Sequence, residues 1–166
     1  MSLVDFEASA SPNPVDLIEQ IAASHDWAFE RPGEDEITIS VAGTFCDYNL
    51  SLSWMGSLEA LHLACAFDFK INERRKSEVM RLLALVNEQL WLGHFDLWQA
   101  EGVVMYRNAL LLTEGVEAGT GQLEAMLAAA VEACERYYQA FQFVIWAGKA
   151  PEEALAAVLF ETHGEA

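Results

Sequence analysis

Residues 46–54 read Cys-Asp-Tyr-Asn-Leu-Ser-Leu-Ser-Trp, and every second residue of this stretch is apolar. The apolar positions are Cys46, Tyr48, Leu50, Leu52 and Trp54, separated by Asp, Asn and Ser residues. Alternation with a period of two places the two sets on opposite faces of a β-strand. The stretch therefore predicts a strand with one buried side and one solvent-facing side.

The same alternation occurs on both sides of this stretch, over residues 37–41 and residues 61–69. Gly43 and the Met-Gly-Ser sequence at residues 55–57 supply turns between the three runs. A further short strand is predicted at residues 27–30. An antiparallel meander with one apolar face is expected, and helices would cover that face only.

Helical periodicity predicts four helices. The first begins at the cap Asn13-Pro14 and ends near residues 24–26. The other three span residues 72–92, 122–147 and 151–160. Two strands at residues 95–98 and 103–112 form a hairpin between the second and third helices. The resulting order α-β-β-β-β-α-β-β-α-α predicts an α+β fold, a one-sided antiparallel sheet (meander plus hairpin) covered by helices. We divide the chain into a flexible N-terminal segment (1–12), an α+β domain (13–148) and a C-terminal helical extension (149–166).

Acidic residues outnumber basic ones by 26 to 9, which gives a net charge of −17. This charge repels nucleic acid and anionic membrane surfaces, so we expect neither as a partner. No run of about 18 apolar residues is present that would predict a membrane-spanning helix. Three cysteines without a Cys-x-x-Cys pair favour reduced thiols, and residues 1–11 lack the features of a signal peptide. The expected location is the cytoplasm.

Residues that could support catalysis are scattered. The three thiols of Cys46, Cys65 and Cys134 fall on apolar faces, where a cysteine packs as a small hydrophobic residue. The glycine-rich residues 115–121 precede a helix but lack the lysine of a phosphate-binding loop. We therefore expect a non-enzymatic protein with no catalytic residues and no cofactor.

Two pairs of polar residues fall on the solvent-facing side of the predicted sheet: His62 with Asp68, and His94 with Asp96. A composite metal site across strands is geometrically possible with these residue types. The simpler interpretation is a solvated sheet face, and we predict no metal.

The segment from Lys76 to Leu112 resembles a known family. Residues 85–90 (Leu-Val-Asn-Glu-Gln-Leu) close a helix, residues 93–97 (Gly-His-Phe-Asp-Leu) begin a strand, and residues 102–107 (Gly-Val-Val-Met-Tyr-Arg) begin its hairpin partner. These sequences are similar to the YbjN family of bacterial sensory transduction regulators. The resemblance implies a type III secretion chaperone-like fold, a homodimer and a regulatory or stress-related role, and it supplies no catalytic residues.

Five of the nine basic residues, Lys70, Arg74, Arg75, Lys76 and Arg81, gather near the start of the second helix. Cations at a helix N-terminus oppose the helix dipole. Two interpretations remain open: a solvated helix start, or a docking site for an acidic peptide, a phosphate-bearing ligand or the acidic face of a second subunit.

Residues 137–146 hold more aromatic side chains than one helix face can bury. Phe143 and Trp146 fall away from the main apolar stripe. A second copy or a protein partner could cover them, or the C-terminal helix could do so through Leu155, Val158 and Leu159. We predict a partner-binding set consisting of Arg74, Arg75, Lys76, Trp98, Tyr106, Phe143 and Trp146. The alternative is a small-molecule sensor or weak enzyme with a pocket between the sheet and the long helix.

Overall fold

The computed structural model describes residues 13–164, and side chains for residues 13–160. The segment 1–12, expected to be flexible, lies outside the described residues. The helices are α1 (Pro14–Ser24), α2 (Lys76–Asn87), α3 (Thr120–Ile145) and α4 (Pro151–Gly164). The strands are β1 (Ala28–Gly33), β2 (Glu36–Ala42), β3 (Asp47–Met55), β4 (Ala60–Ala66), β5 (His94–Trp98) and β6 (Val103–Leu111). Short 3₁₀ turns occupy Glu73–Arg75 and Thr113–Gly115.

The six strands form one antiparallel sheet with the order β1-β2-β3-β4-β6-β5. The first four strands are the predicted meander. The hairpin of β5 and β6 joins it through β6, so β5 lies at an edge. The predicted element order and fold class are confirmed.

One face of the sheet carries the core. The inward residues of β2, β3 and β4 are buried, as the alternation predicts, and α3 supplies the largest share of the opposing surface. Leu50, Leu63 and Phe141 are fully buried there. The opposite face, which we call the open face, holds small and polar residues such as Thr38 and Ser51, whose hydroxyls lie 3.3 Å apart.

Two predicted elements, the second helix and the fourth strand, are shorter in the structure than in the prediction. Helix α2 spans 12 residues rather than residues 72–92. At its start, the Asn72 side chain accepts a hydrogen bond from the Arg75 amide and holds a 3₁₀ turn. Beyond its end, the Asn87 side chain bonds both backbone groups of Phe95, at 2.8 Å and 3.0 Å, and so ties this end of the helix to β5. Strand β4 ends at Ala66 rather than at residue 69.

Helix α4 packs on α2 and α3 of the same chain. Among its residues 151–160, Pro151, Ala154, Leu155 and Val158 are buried. The Arg81 guanidinium contacts both carboxylate oxygens of Glu152 at 2.5 Å. Helix α4 leaves Trp146 63% exposed, so this helix accounts for only part of the aromatic run. Within residues 13–164, no helix combines the length and apolarity needed to cross a membrane.

Candidate protein-binding surface

Residues 67–76, which we call the connecting segment, lead from β4 to α2 along one end of the sheet. The amide of Phe67 bonds the Val104 carbonyl at 2.9 Å, and the amide of Ile71 bonds the Gly102 carbonyl at 2.8 Å. The alternating residues Phe67, Phe69 and Ile71 are buried. The segment is therefore fixed to the β5–β6 hairpin, and its exposed residues are Asp68, Lys70 and residues 72–74.

Two of the predicted contact cations are engaged within the chain. The Arg75 guanidinium donates to the Val144 carbonyl at the C-terminal end of α3, where a positive charge stabilises the helix. The Lys76 ammonium bonds the Gln99 carbonyl at 2.7 Å and the Glu73 carboxylate at 2.9 Å. These long-range contacts stabilise the two cations at the start of α2, where the helix dipole alone would disfavour them.

Arg74 and Lys70 are different. Both are exposed, and in the part of the chain that the structure describes neither has an ion-pair partner. They are the two members of the basic cluster whose charges remain available to another molecule. The cluster therefore splits into a structural part and a part that faces solvent.

Four aromatic rings form a continuous row at this end of the sheet, and we call it the aromatic row: Phe45, Tyr138, Phe69 and Trp146. Successive ring centroids lie 5.8, 5.4 and 5.4 Å apart. The inner two rings are buried, whereas Phe45 is 39% exposed and Trp146 is 63% exposed. Large aromatic side chains that are packed on one side and open on the other are typical of interface anchors.

The other predicted aromatic contacts lie in three different environments. Trp98 is about half exposed, and its carbonyl accepts the Gly102 amide, so it sits beside the connecting segment on the hairpin. Phe143 is half-buried, with the Lys149 ammonium 4.7 Å above its ring. Tyr106 is fully buried and donates to the Leu92 carbonyl at 2.9 Å, and burial raises its pKa to about 12. Tyr106 is thus a core residue with no surface to offer a partner.

The open face holds one polar row across three strands. The Arg107 guanidinium bonds the Asp96 carboxylate at 3.1 Å and the Nε2 atom of His62 at 3.1 Å. Burial first, then the charge of Arg107 and the neighbouring His94, lower the pKa of His62 below its ordinary value of 6.5. The Nε2 atom of neutral His62 accepts a hydrogen bond from the Nε–H group of Arg107, so this nitrogen already has a partner.

Asp68 does not join this row, contrary to expectation. Strand β4 ends at Ala66, and Asp68 lies in the connecting segment, where its carboxylate accepts the Tyr138 hydroxyl at 3.1 Å. In the described residues, no three His, Cys, Asp or Glu side chains are grouped closely enough to hold a metal ion.

The thiols show the environments that the sequence predicts for packing residues. Cys65 and Cys134 are fully buried, and Cys46 is half-buried. Contact with Cys65 and then burial raise the pKa of Cys134, and burial raises the pKa of Cys46. A raised pKa leaves less of the nucleophilic thiolate at neutral pH.

Sequence reasoning did not identify Phe45 and Trp91 as exposed aromatic residues. Phe45 sits in the turn between β2 and β3, and Trp91 is 99% exposed beyond the end of α2. Both fall outside regular elements, so hydrophobic periodicity gives no indication of their exposure. For Trp91 a signal was available: it stands two residues before Gly93, at a helix end.

Most of the space between sheet and α3 is filled by core side chains, but a cavity of about 470 Å³ lies at its margin. Trp27, Val41, Leu127 and Val131 line it, and the pair His25–Glu124, 3.5 Å apart, stands beside them. This apolar cavity lies at the edge of the sheet–helix interface rather than within it.

A one-sided antiparallel sheet of six strands backed by helices is the type III secretion chaperone-like fold that the sequence predicts. Within that class the chain belongs to the YbjN family: the family model, described as "Putative bacterial sensory transduction regulator", matches residues 14–143. A comparison with curated proteins gives no significant match.

Three solved structures are similar to this chain. The crystal structure of YbjN, "a putative transcription regulator from E. coli", aligns with a TM-score of 0.55 at 8% identity, over 76% of this chain and 88% of that one. A chain of the ExsC–ExsE complex aligns with a TM-score of 0.53 at 18% identity, over 74% and 88%. The HopA1–SchA chaperone–effector complex gives a TM-score of 0.49 at 14% identity, over 74% and 91%. At these identities the likeness shows the fold alone.

Proposed function

We propose that this protein is a non-enzymatic, chaperone-like module that binds a protein partner in the bacterial cytoplasm, as a homodimer, and regulates that partner in signalling or a stress response. The observation that carries the proposal is the aromatic row, whose two end residues are exposed while the inner two are fixed in the core. The ExsC–ExsE complex supports it, because there a protein of the same fold is bound to another protein.

The partner chemistry follows from the side chains at this end of the sheet. Phe45 and Trp146 would contact apolar side chains, and Lys70 and Arg74 would meet acidic ones. The rest of the chain is strongly acidic, which repels acidic proteins elsewhere on the surface. An extended segment that alternates apolar and acidic residues fits this surface best.

We assign no enzymatic activity to the protein. Two groups that could act as base or nucleophile are poorly suited to it: the Nε2 atom of His62 accepts a hydrogen bond from Arg107, and burial raises the pKa of Cys46. A protein-binding role uses the exposed groups instead.

Capture from the lysate of the source bacterium tests the proposal, with the partner mapped by mass spectrometry and its binding segment remade as a peptide. Trp146→Ala should weaken binding of that peptide at least about tenfold, as removal of an interface anchor does. Phe160→Ala is the matched control, because Phe160 is 78% exposed but lies on α4. Equal binding by wild type and Trp146→Ala would contradict the assigned surface.

A second candidate function rests on the cavity lined by Trp27 and Val41. Its apolar lining suits a small apolar ligand, and a sensor would bind it there. Thermal-shift screening with apolar metabolites tests this, since a ligand at 100 times its dissociation constant adds about 2.7 kcal/mol of stability. Val131→Trp, which fills the cavity, should abolish any shift.

A further inference from the structure

Trp91 is the most exposed large apolar residue among those the structure describes, at 99%. Leu92 beside it is 62% exposed. A tryptophan that is almost completely exposed presents a large apolar area to water at a considerable free-energy cost. Such residues mark interaction sites when they are held in a fixed position.

The backbone around Trp91 is held in this way. The buried Tyr106 hydroxyl donates to the Leu92 carbonyl at 2.9 Å. Gly93 has φ +69°, and a Cβ there would collide with the Tyr106 hydroxyl and lie 2.7 Å from the Arg107 carbonyl. Together with the two bonds from Asn87 to Phe95, these contacts fix the turn that presents Trp91. A preorganised anchor loses little entropy on binding.

Two shallow cavities flank this turn. One of about 170 Å³ lies between Trp91 and the side of α3 at Ala129 and Ala133. The other, of about 240 Å³, lies between Leu92, the end of β6 and Ala125. The surface thus combines a protruding side chain with adjacent recesses, and we call it the Trp91 surface.

The charge of the Trp91 surface distinguishes it from the rest of the molecule. Among the residues that line the two cavities, only Glu132 and Arg136 are charged. They stand four residues apart on α3 and, in the described part of the chain, neither forms an ion pair. The surface is therefore neutral on a chain with a net charge of −17.

We infer that the Trp91 surface joins two copies of this chain around a two-fold axis that crosses α3 between Glu132 and Arg136. In such an interface each surface meets itself, so a protrusion and a recess must be present on the same patch, as they are here. The axis makes the two α3 helices antiparallel and places Glu132 opposite the partner's Arg136 twice. A neutral patch is also where two strongly acidic chains repel each other least.

This inference rests on the proposed homodimer and names its interface. None of the four residues of the aromatic row lines the two cavities beside Trp91, so the row stays free for a different protein. Each dimer would then carry two copies of the partner-binding surface.

Charge reversal tests the axis directly, with the dissociation constant measured by sedimentation and the mass by light scattering. Glu132→Arg sets two arginines against each other, and Arg136→Glu sets two glutamates against each other. Each variant alone should dimerise at least about tenfold more weakly, and an equimolar mixture should recover wild-type dimerisation as the heterodimer. A general charge effect predicts instead that Glu132→Arg, which makes the chain less acidic, dimerises more tightly.

Trp91→Ala provides the second test. It should weaken the dimer at least about tenfold, whereas the exposed but distant Trp146→Ala should leave it unchanged. A wild-type dimer that is unaffected by Trp91→Ala and by both charge reversals overturns the interface but leaves the proposed homodimer standing. A wild-type chain that is monomeric at all accessible concentrations overturns both.

Discussion

The guanidinium of Arg75 donates two hydrogen bonds to the Val144 carbonyl, at 3.0 Å from Nε and 2.6 Å from Nη2. This contact links the start of α2 to the last turn of α3, across 69 residues of sequence. Near the end of α3 the last carbonyls have no partner within the helix, so an arginine there satisfies one and offsets the negative end of the dipole.

Arg75→Ala should therefore lower the free energy of unfolding by about 2 kcal/mol, the usual cost of a lost hydrogen bond to a charged group. Denaturant titration followed by circular dichroism measures it. Arg74→Ala is the control: its side chain is exposed and unpaired in the described structure, so its stability should stay within about 0.5 kcal/mol of wild type. Equal effects of the two variants would refute a structural role for Arg75.

The sheet could be predicted well because burial of one face requires an apolar residue at every second position of a strand, and this pattern is visible in the sequence. Tyr48, Leu50 and Leu52 are buried as expected, and every strand of the meander is found. Helix ends were predicted less well. The side chains of Asn72 and Asn87 form hydrogen bonds that limit helix α2 at its start and at its end, and hydrophobic periodicity does not indicate such bonds.

The candidate site was predicted only in part, for a related reason. The basic cluster and Trp146 stand out in the sequence, but which cations are free depends on contacts with Val144 and Gln99, far along the chain. Tyr106 falls in a strand where alternation alone would have assigned it to the core, next to the inward Val104. Exposure in turns, as for Trp91, does not follow from hydrophobic periodicity, and only the nearby Gly93 indicates that a helix ends there.

Two buried tyrosines should respond oppositely to loss of the hydroxyl. Tyr106 donates to the Leu92 carbonyl, so Tyr106→Phe leaves that carbonyl unsatisfied and should cost about 1 kcal/mol. Within residues 13–160 the buried Tyr48 hydroxyl meets no acceptor or donor at hydrogen-bond geometry, so Tyr48→Phe should raise the stability by up to about 1 kcal/mol. Chemical denaturation of both variants gives the comparison, and destabilisation by Tyr48→Phe would show that its hydroxyl has a partner.

Glycine at position 93 is required for two separate reasons. Its φ of +69° disfavours any side chain by about 1–2 kcal/mol, and a Cβ would collide with the buried Tyr106 hydroxyl. Gly93→Ala should therefore destabilise the protein by well over about 2 kcal/mol.

Gly115 has the positive φ of Gly93 but not the close neighbour, so it separates the cost of the backbone conformation from the cost of the collision. Its φ is +73°, but a Cβ added there would have nothing within 4 Å, so Gly115→Ala should cost only the backbone term of about 1 kcal/mol. Thermal unfolding of the two variants measures the difference. Similar losses in both would mean that the close approach of Tyr106 at Gly93 contributes nothing.

His62 should titrate below 6.5, because burial and the neighbouring Arg107 and His94 all disfavour its charged form. The pKa of His62 is lower in the folded than in the unfolded state, so the unfolded chain binds more protons just below pH 6.5. The contribution of His62 to stability is therefore complete above that pH and is lost as the pH falls.

Arg107→Gln removes one cause of the lowered pKa of His62 and frees the Asp96 carboxylate, and it should raise that pKa. Titration of the imidazole by NMR measures this, with Lys149→Gln as a control that removes a cation lying over Phe143 instead. An unchanged His62 titration in Arg107→Gln would show that the row Asp96–Arg107–His62 does not set the protonation of the open face.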